Sequence, residues 1–158
     1  MIDDTQRERL QALARIVQKE LLHLQRTDTR LFAEPFTADK AAGLEENQDL
    51  AERVEAFVSR FGRLQDTLGD KLLPRYLAAL GERPLAFIDN LAKAERLGLI
   101  NSADHWLELR RLRNRMIHEY VDDPKLLAEA LQAGHRGVAE LARAARRILD
   151  DLKRRGWI

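Results

Sequence analysis

The chain has 158 residues, enough for one ordinary domain with a real hydrophobic core, so we expect a single domain over residues 1–158. Cysteine is absent, which excludes disulfide frameworks and cysteine nucleophiles and favours a cytoplasmic location. Charged residues make up 34% of the chain but the formal net charge is only +1, so an electrostatic argument for any partner must be local.

The first predicted helix runs from about Thr5 to Leu24, where apolar residues recur at three-and-four spacing. Residues 26–47 contain Pro35 and Gly43 and predict a loop with a short helical piece. The spacing resumes from about Gln48 to Leu73 and predicts a long second helix with a continuous apolar seam. No apolar run is long enough for a transmembrane helix, and the polar amino-terminal segment lacks the pattern of a signal peptide. We therefore expect no membrane partner.

Prolines, glycines and capping residues mark the later elements. Pro74 predicts a break or kink, Pro84 predicts the start of a third helix, and Gly98 fits the left-handed cap at its end. Asn101-Ser102 predicts the N-cap of the fourth principal helix, and Asp122-Asp123-Pro124 ends that helix and starts the last one. Strand-like alternation is missing from the sequence. The predicted fold class is therefore all-α, an up-and-down helical bundle of about five helices.

The fourth principal helix carries the densest chemistry in the chain. Arg113, Asn114, His118 and Tyr120 lie within about two turns. A histidine can exchange protons near neutral pH, and an arginine holds phosphate through a rigid fork of donors. The combination suits metal-independent phosphodiester cleavage, with His118 as base or acid at a ribose 2′-hydroxyl and Arg113 stabilising the phosphorane. The alternative is an ordinary surface histidine, because this spacing also arises by chance.

Arginines cluster around the motif. Arg110, Arg111 and Arg115 flank Arg113 and are candidates for RNA binding, since clustered guanidinium groups attract phosphates. The alternative is a solvated helix face that pairs with neighbouring helices. Trp106 on the same helix predicts core or dimer packing. No other stretch offers metal-ligand spacing, so we expect no metal and no cofactor.

The order Arg113-Asn114-x-x-x-His118-x-Tyr120 resembles the R-N-x-x-x-H-x-Y signature of the HEPN superfamily. The likeness is closest to its HepT branch, the toxin-like partners of minimal nucleotidyltransferases. The segment from Phe57 to Asp66 is similar to the family's second helix, and Leu97-Gly98-Leu99-Ile100 is similar to the lead-in to its motif helix. The resemblance covers roughly residues 51–120.

The resemblance implies a specific site and specific partners. It implies a HEPN-like homodimer in which Arg113 and His118 form the catalytic pair of an endoribonuclease, with Asn114 positioning the site. Each protomer offers one such imidazole, so two motif helices that meet across the twofold axis supply both a base and an acid. The resemblance further implies that a cognate minimal nucleotidyltransferase, the antitoxin, adenylylates Tyr120 and silences cleavage of RNA.

The sequence also allows two alternative functions without catalysis. In one, the chain is a helical adaptor, a substrate-binding subunit of a minimal nucleotidyltransferase, which keeps the arginine and histidine for binding. In the other, it is a dimeric helical interaction module in which the motif is structural.

Overall fold

Helices joined by short segments build the part of the chain that the structure describes. The computed structural model describes residues 2–83 and 85–158, except for the side chains of residues 118–122. The elements are α1 Asp4–Leu31, α2 Ala38–Ala42, a 3₁₀ turn Leu44–Glu46, α3 Gln48–Asp66, a π-helical segment Thr67–Leu72, α4 Leu73–Ala79, α5 Phe87–Arg96, α6 Ala103–Asp122 and α7 Pro124–Arg154. The segments from α3 to α4 follow one another without a break. No strand occurs in the described residues, and the all-α prediction is confirmed.

Helix α1 is longer than predicted. It begins with a capping box, in which the Asp3 carboxylate accepts a hydrogen bond from the Gln6 N–H at 2.7 Å. It then continues past Leu24 to Leu31, so the predicted loop over 26–47 is shorter and holds α2 as its helical piece. The buried face passes through Thr27, whose hydroxyl accepts a hydrogen bond from Arg60. A polar residue in the apolar stripe interrupted the pattern on which the prediction depended.

The helix continues through Pro74. The π-helical segment widens the turns just before the proline, and the Leu73 N–H donates to the carbonyl of Leu68, five residues back. A widened turn accommodates a residue that lacks an N–H and clashes with the fourth carbonyl before it. The break predicted at Pro74 is therefore a local change of helix type.

The other predicted boundaries have mixed outcomes. The helix start predicted at Pro84 lies outside the described residues, and α5 begins at Phe87. Gly98 has φ of +75° beyond the end of α5, which confirms the left-handed cap. Ser102 accepts a hydrogen bond from the His105 N–H at 3.1 Å, and Asp123 accepts one from the Lys125 N–H at 2.9 Å. Both N-caps are therefore confirmed.

Neighbouring long helices pack antiparallel. Helix α1 packs on α3 and α7, and α6 packs on α7 and α3. The predicted apolar seams of all four form the buried core, and Trp106 is buried within it, as predicted. Two glycines of α7 let the helices approach closely. A β-carbon at Gly134 would lie 2.9 Å from the Met116 sulfur, and one at Gly137 would lie 2.7 Å from a Leu109 methyl group. None of the described helices is both long and apolar enough to cross a membrane.

A buried polar cluster joins α4 to the carboxyl end of α7. The Tyr76 hydroxyl donates a hydrogen bond to Asp151, whose carboxylate also pairs with Arg154 and, at 2.7 Å, with Arg155. Burial and the Asp151 carboxylate raise the pKa of Tyr76 to about 12. The hydrogen bonds from Tyr76 and the two arginines outweigh the burial of Asp151, so its pKa is lowered. The cluster thus fixes a neutral phenol against an ionised carboxylate.

The cluster predicts an alkaline limit to stability. The Tyr76 pKa is higher in the folded chain than in the unfolded chain. The contribution of the Tyr76 hydroxyl to the free energy of unfolding is therefore complete below about pH 10, and it is lost as pH rises toward about 12. Tyr76→Phe lacks the hydroxyl and should cost roughly 1.5–3 kcal/mol at pH 7. Urea unfolding at pH 7 to 11 should show this cost shrinking above pH 10. A cost independent of pH would contradict the assignment.

Candidate functional site

Arg113 is held in place by two residues of α3. Its side chain crosses the helix at Gly62, where a β-carbon would lie 2.5 Å from the arginine Nε and 2.9 Å from its Cζ. Beyond the glycine, Arg113 Nη1 donates to the Asp66 carboxylate at 2.5 Å. A planar guanidinium paired with a carboxylate has a defined orientation. The glycine therefore provides the passage and the aspartate fixes the end of the side chain.

Arg110 is held by a second acidic residue one turn further along. Its Nη2 lies 3.6 Å from a carboxylate oxygen of Asp70, in the π-helical segment. Its guanidinium carbon also lies 4.3 Å from the ring centre of Phe87 on α5, which is a cation–π contact. The pairs Arg113–Asp66 and Arg110–Asp70 follow the same antiparallel alignment of α6 against α3 and the π-helical segment that continues it. Both arginines are thus compensated by carboxylates.

A groove of about 510 Å³ opens beside Arg113. Its lining is mainly apolar and also carries both signs of charge. The lining residues are Glu55, Val58, Ser59, Arg63 and Asp66 of α3 with Arg113, Met116 and Ile117 of α6. Ile117 is 49% exposed, high for a large apolar side chain in a helix that packs against its neighbours. We call this feature the α3–α6 groove.

The remaining predicted site residues divide into two groups. Arg111, Asn114 and Arg115 are exposed and make no hydrogen bond or ion pair with the described part of the chain. Helix α6 carries positions 118 and 120. The predictions for the side chains of His118 and Tyr120, however, lie outside the described residues. The structure therefore describes the arginine half of the predicted pair.

The predicted arginine cluster is electrostatically weaker than the sequence suggests. Glu108 and Glu119 are its counter-charges along the chain, but in the fold Asp66 and Asp70 pair with Arg113 and Arg110. Sequence reasoning assigned neither aspartate a role. The spacing in the sequence is compatible with these ion pairs, because aspartates four apart on one helix can meet arginines three apart on an antiparallel neighbour. Arg111 and Arg115 are the members that face solvent.

The other histidines contribute to no metal centre that the structure describes. His105 lies 3.9 Å from Glu108 on its own helix, and His135 lies 2.7 Å from Asp28. Within the described residues, no three His, Asp or Glu side chains are placed to share a metal ion.

Comparisons with protein-family models, curated proteins and solved structures give no match for this chain.

The Arg113–Asp66 contact predicts a specific energetic coupling. Both side chains are about one-third exposed, so solvent screens the pair and the coupling should be roughly 0.5–1 kcal/mol. A double-mutant cycle with Arg113→Ala and Asp66→Ala, followed by urea unfolding, measures it. The matched control is the cycle of Arg115→Ala with Asp66→Ala, which should give no coupling. Equal coupling in the two cycles would rule out a specific contact.

Proposed function

We propose that this protein is a HEPN-type endoribonuclease of the HepT branch, acting in the cytoplasm as the toxin of a toxin–antitoxin pair. The observation that carries the proposal is the guanidinium of Arg113. It is oriented by Asp66 at the wall of an open groove, on the helix whose sequence includes His118 and Tyr120. The hydrogen bond to Asp66 uses one of the five N–H donors of the arginine, which leaves donors for a phosphate.

The proposed reaction is transesterification within the RNA strand, without a metal ion or cofactor. The ribose 2′-oxygen attacks the adjacent phosphorus and the bond from phosphorus to the 5′-oxygen breaks. A base takes the proton of the 2′-hydroxyl and an acid gives a proton to the departing 5′-oxygen. His118 serves in these steps, Arg113 offsets the charge on the phosphorane, and Asn114 positions the site. The products are a 2′,3′-cyclic phosphate and a 5′-hydroxyl.

A homodimer fits the chemistry and the α3–α6 groove. One protomer has one motif imidazole, whereas a twofold dimer offers two, for base and acid. The groove has a mainly apolar lining with exposed Ile117, and it also contains acidic Glu55 and Asp66 and basic Arg63 and Arg113. A twofold interface places a surface against a rotated copy of itself, which a surface with apolar area and both signs of charge permits, whereas a surface of one sign would repel its copy. These properties support the α3–α6 groove as the dimer contact.

The exposed arginines are the proposed RNA contacts. Arg111 and Arg115 lie four residues apart on the solvent face of α6, without carboxylate partners among the described residues. In a dimer, each protomer contributes such a pair. The proposed role of Arg110 is weaker, because Asp70 and Phe87 engage its guanidinium.

Catalysis predicts metal-independent fragments. RNA incubated with the purified dimer and a chelator should yield ends with a 2′,3′-cyclic phosphate, detected by mass spectrometry. Arg113→Ala and His118→Ala should each lower the rate by roughly 100-fold or more. His105→Ala is the matched control, since His105 is an exposed histidine on the same helix. Wild-type rates in both site variants would refute the proposal.

Gly62→Ala tests whether cleavage requires the position of the Arg113 guanidinium, because this variant keeps the arginine but displaces its side chain. The added methyl group occupies the path of the arginine, so the guanidinium must leave Asp66. The fold should persist, because alanine favours a helix interior over glycine by about 1 kcal/mol. Cleavage should fall as in Arg113→Ala. Gly43→Ala is the control, since its β-carbon meets only ordinary contacts of 3.5 Å or more.

A second candidate is the helical adaptor, a substrate-binding subunit of a minimal nucleotidyltransferase. The pairing of Arg110 and Arg113 with aspartates favours it, because compensated arginines attract RNA less than bare ones. The adaptor binds the nucleotidyltransferase but leaves RNA intact. The ribonuclease assay above therefore discriminates the two candidates.

Tyr120 is the proposed target of the nucleotidyltransferase. Nucleotides attached there add bulk and negative charge beside the arginines and repel RNA. Incubation with the nucleotidyltransferase and ATP should add adenylyl mass to the peptide that contains Tyr120, and cleavage should fall in proportion. Tyr120→Phe should remain unmodified and active. Modification of Tyr120→Phe to the same extent would exclude this residue as the target.

A further inference from the structure

A second groove runs between α1 and α7. It has a volume of about 800 Å³ and shares no lining residue with the α3–α6 groove. Four arginines of α7 dominate its polar lining, and they extend over roughly 16 Å of helix. They are Arg136, Arg143, Arg146 and Arg147. We call this feature the α1–α7 groove.

Most of these arginines keep their charge uncompensated. Arg136 and Arg146 are exposed and have no ion pair within the described part of the chain. Arg147 donates to a backbone carbonyl at 3.1 Å and a side-chain amide oxygen at 3.0 Å, both in the loop before α6. These acceptors are neutral, so they fix the guanidinium without cancelling its charge. Only Arg143 has a carboxylate partner among the described residues, Glu140 at 2.8 Å.

The groove also presents an oriented imidazole. His135 Nδ1 lies 2.7 Å from the Asp28 carboxylate, and one ring face stacks on Phe32 with 4.4 Å between ring centres and 24° between planes. The histidine side chain is nevertheless 43% exposed. Because one edge and one face are covered, the exposed area belongs to the opposite face and the Nε2 edge. The groove therefore combines a flat, open ring face with a row of guanidinium groups.

We propose that the α1–α7 groove binds single-stranded nucleic acid. Proteins that bind single strands combine a positive groove along the phosphates with ring faces on which bases stack. Here Arg136 and Arg146 contact phosphates and His135 stacks a base. The groove has two carboxylates against four arginines, so it stays net positive. Asp28 is hydrogen-bonded to His135, and Asp150 lies one turn beyond Arg146 but forms no ion pair with it within the described residues. The proposal does not depend on cleavage at α6, because it concerns binding by other residues.

A probe without 2′-hydroxyls separates binding from cleavage. A fluorescein-labelled oligothymidylate of about 12 nucleotides has no 2′-hydroxyl to attack its phosphates, and it covers a typical single-strand site. Fluorescence anisotropy across a salt series measures its affinity for the full chain. The double variant Arg136→Gln/Arg146→Gln should bind at least roughly tenfold more weakly. Its slope of log affinity against log salt should be smaller by about 1.4, for two lost phosphate contacts.

Two further double variants locate the binding. Arg9→Gln/Arg75→Gln removes two exposed arginines from a different groove, and its affinity should equal that of the wild type. Arg111→Gln/Arg115→Gln tests the solvent face of α6. If that variant abolishes binding while Arg136→Gln/Arg146→Gln binds normally, the nucleic acid binds α6 and the proposal is overturned. Equal loss in the Arg9 and Arg75 control would also overturn it, because binding would then follow net charge.

The stacking role has its own test. His135→Ala should weaken oligothymidylate binding and leave the binding of inorganic polyphosphate unchanged, because polyphosphate has no bases. His135→Phe keeps a ring face and should restore oligothymidylate binding. Equal weakening for both ligands in His135→Ala, or no rescue by phenylalanine, would overturn the role of the imidazole face.

Discussion

The close approach of α6 to α3 and α7 depends on three glycines, and the rest of the structure follows from it. The side chains of Met116 and Leu109 pack against Gly134 and Gly137 of α7, and α6 therefore lies close to α7. Gly62 of α3 then leaves room for Arg113 to cross the helix and reach Asp66. A larger residue at Gly134 or Gly137 would push Met116 or Leu109 into well-packed neighbours, which interiors accommodate poorly. A larger residue at Gly62 would displace only the partly exposed side chain of Arg113. The same packing thus stabilises the core and orients the guanidinium at the surface.

Ion pairs with two aspartates reduce the positive charge that α6 presents to solvent. Read along the chain, Arg110 to Arg115 form a dense positive cluster. In the fold, Asp66 and Asp70 compensate Arg113 and Arg110, and the solvent-facing charge comes from Arg111 and Arg115. An aspartate beside a catalytic arginine lowers its attraction for a distant phosphate but fixes its donors in position, and catalysis gains more from position than from net charge. The two proposed functions, ribonuclease and adaptor, differ in which of these two effects dominates.

The α3–α6 groove and the α1–α7 groove differ in polarity and charge. The α3–α6 groove has a mainly apolar lining and balanced charges, properties of a contact between protein surfaces. The α1–α7 groove has unbalanced arginines and an exposed ring face, properties of a surface for a flexible anionic strand. Neither the net charge of +1 nor the composition distinguishes the two, because both average over the whole chain.

The sequence by itself determined the all-α fold class, the apolar seams of the long helices and the caps at Gly98, Ser102 and Asp123. These features depend on residues three or four apart, where the spacing in the chain fixes the spacing in space. It also indicated α6 as the helix of the candidate site. Helix α1 escaped full prediction because buried Thr27 obtains its hydrogen bond from a residue far away in the chain. Only the tertiary structure decided that Asp66 pairs with Arg113, that Gly62 lies beneath it, and that Asp28 meets His135. Such contacts join residues tens of positions apart, and the packing of helices, which sequence spacing does not encode, brings them together.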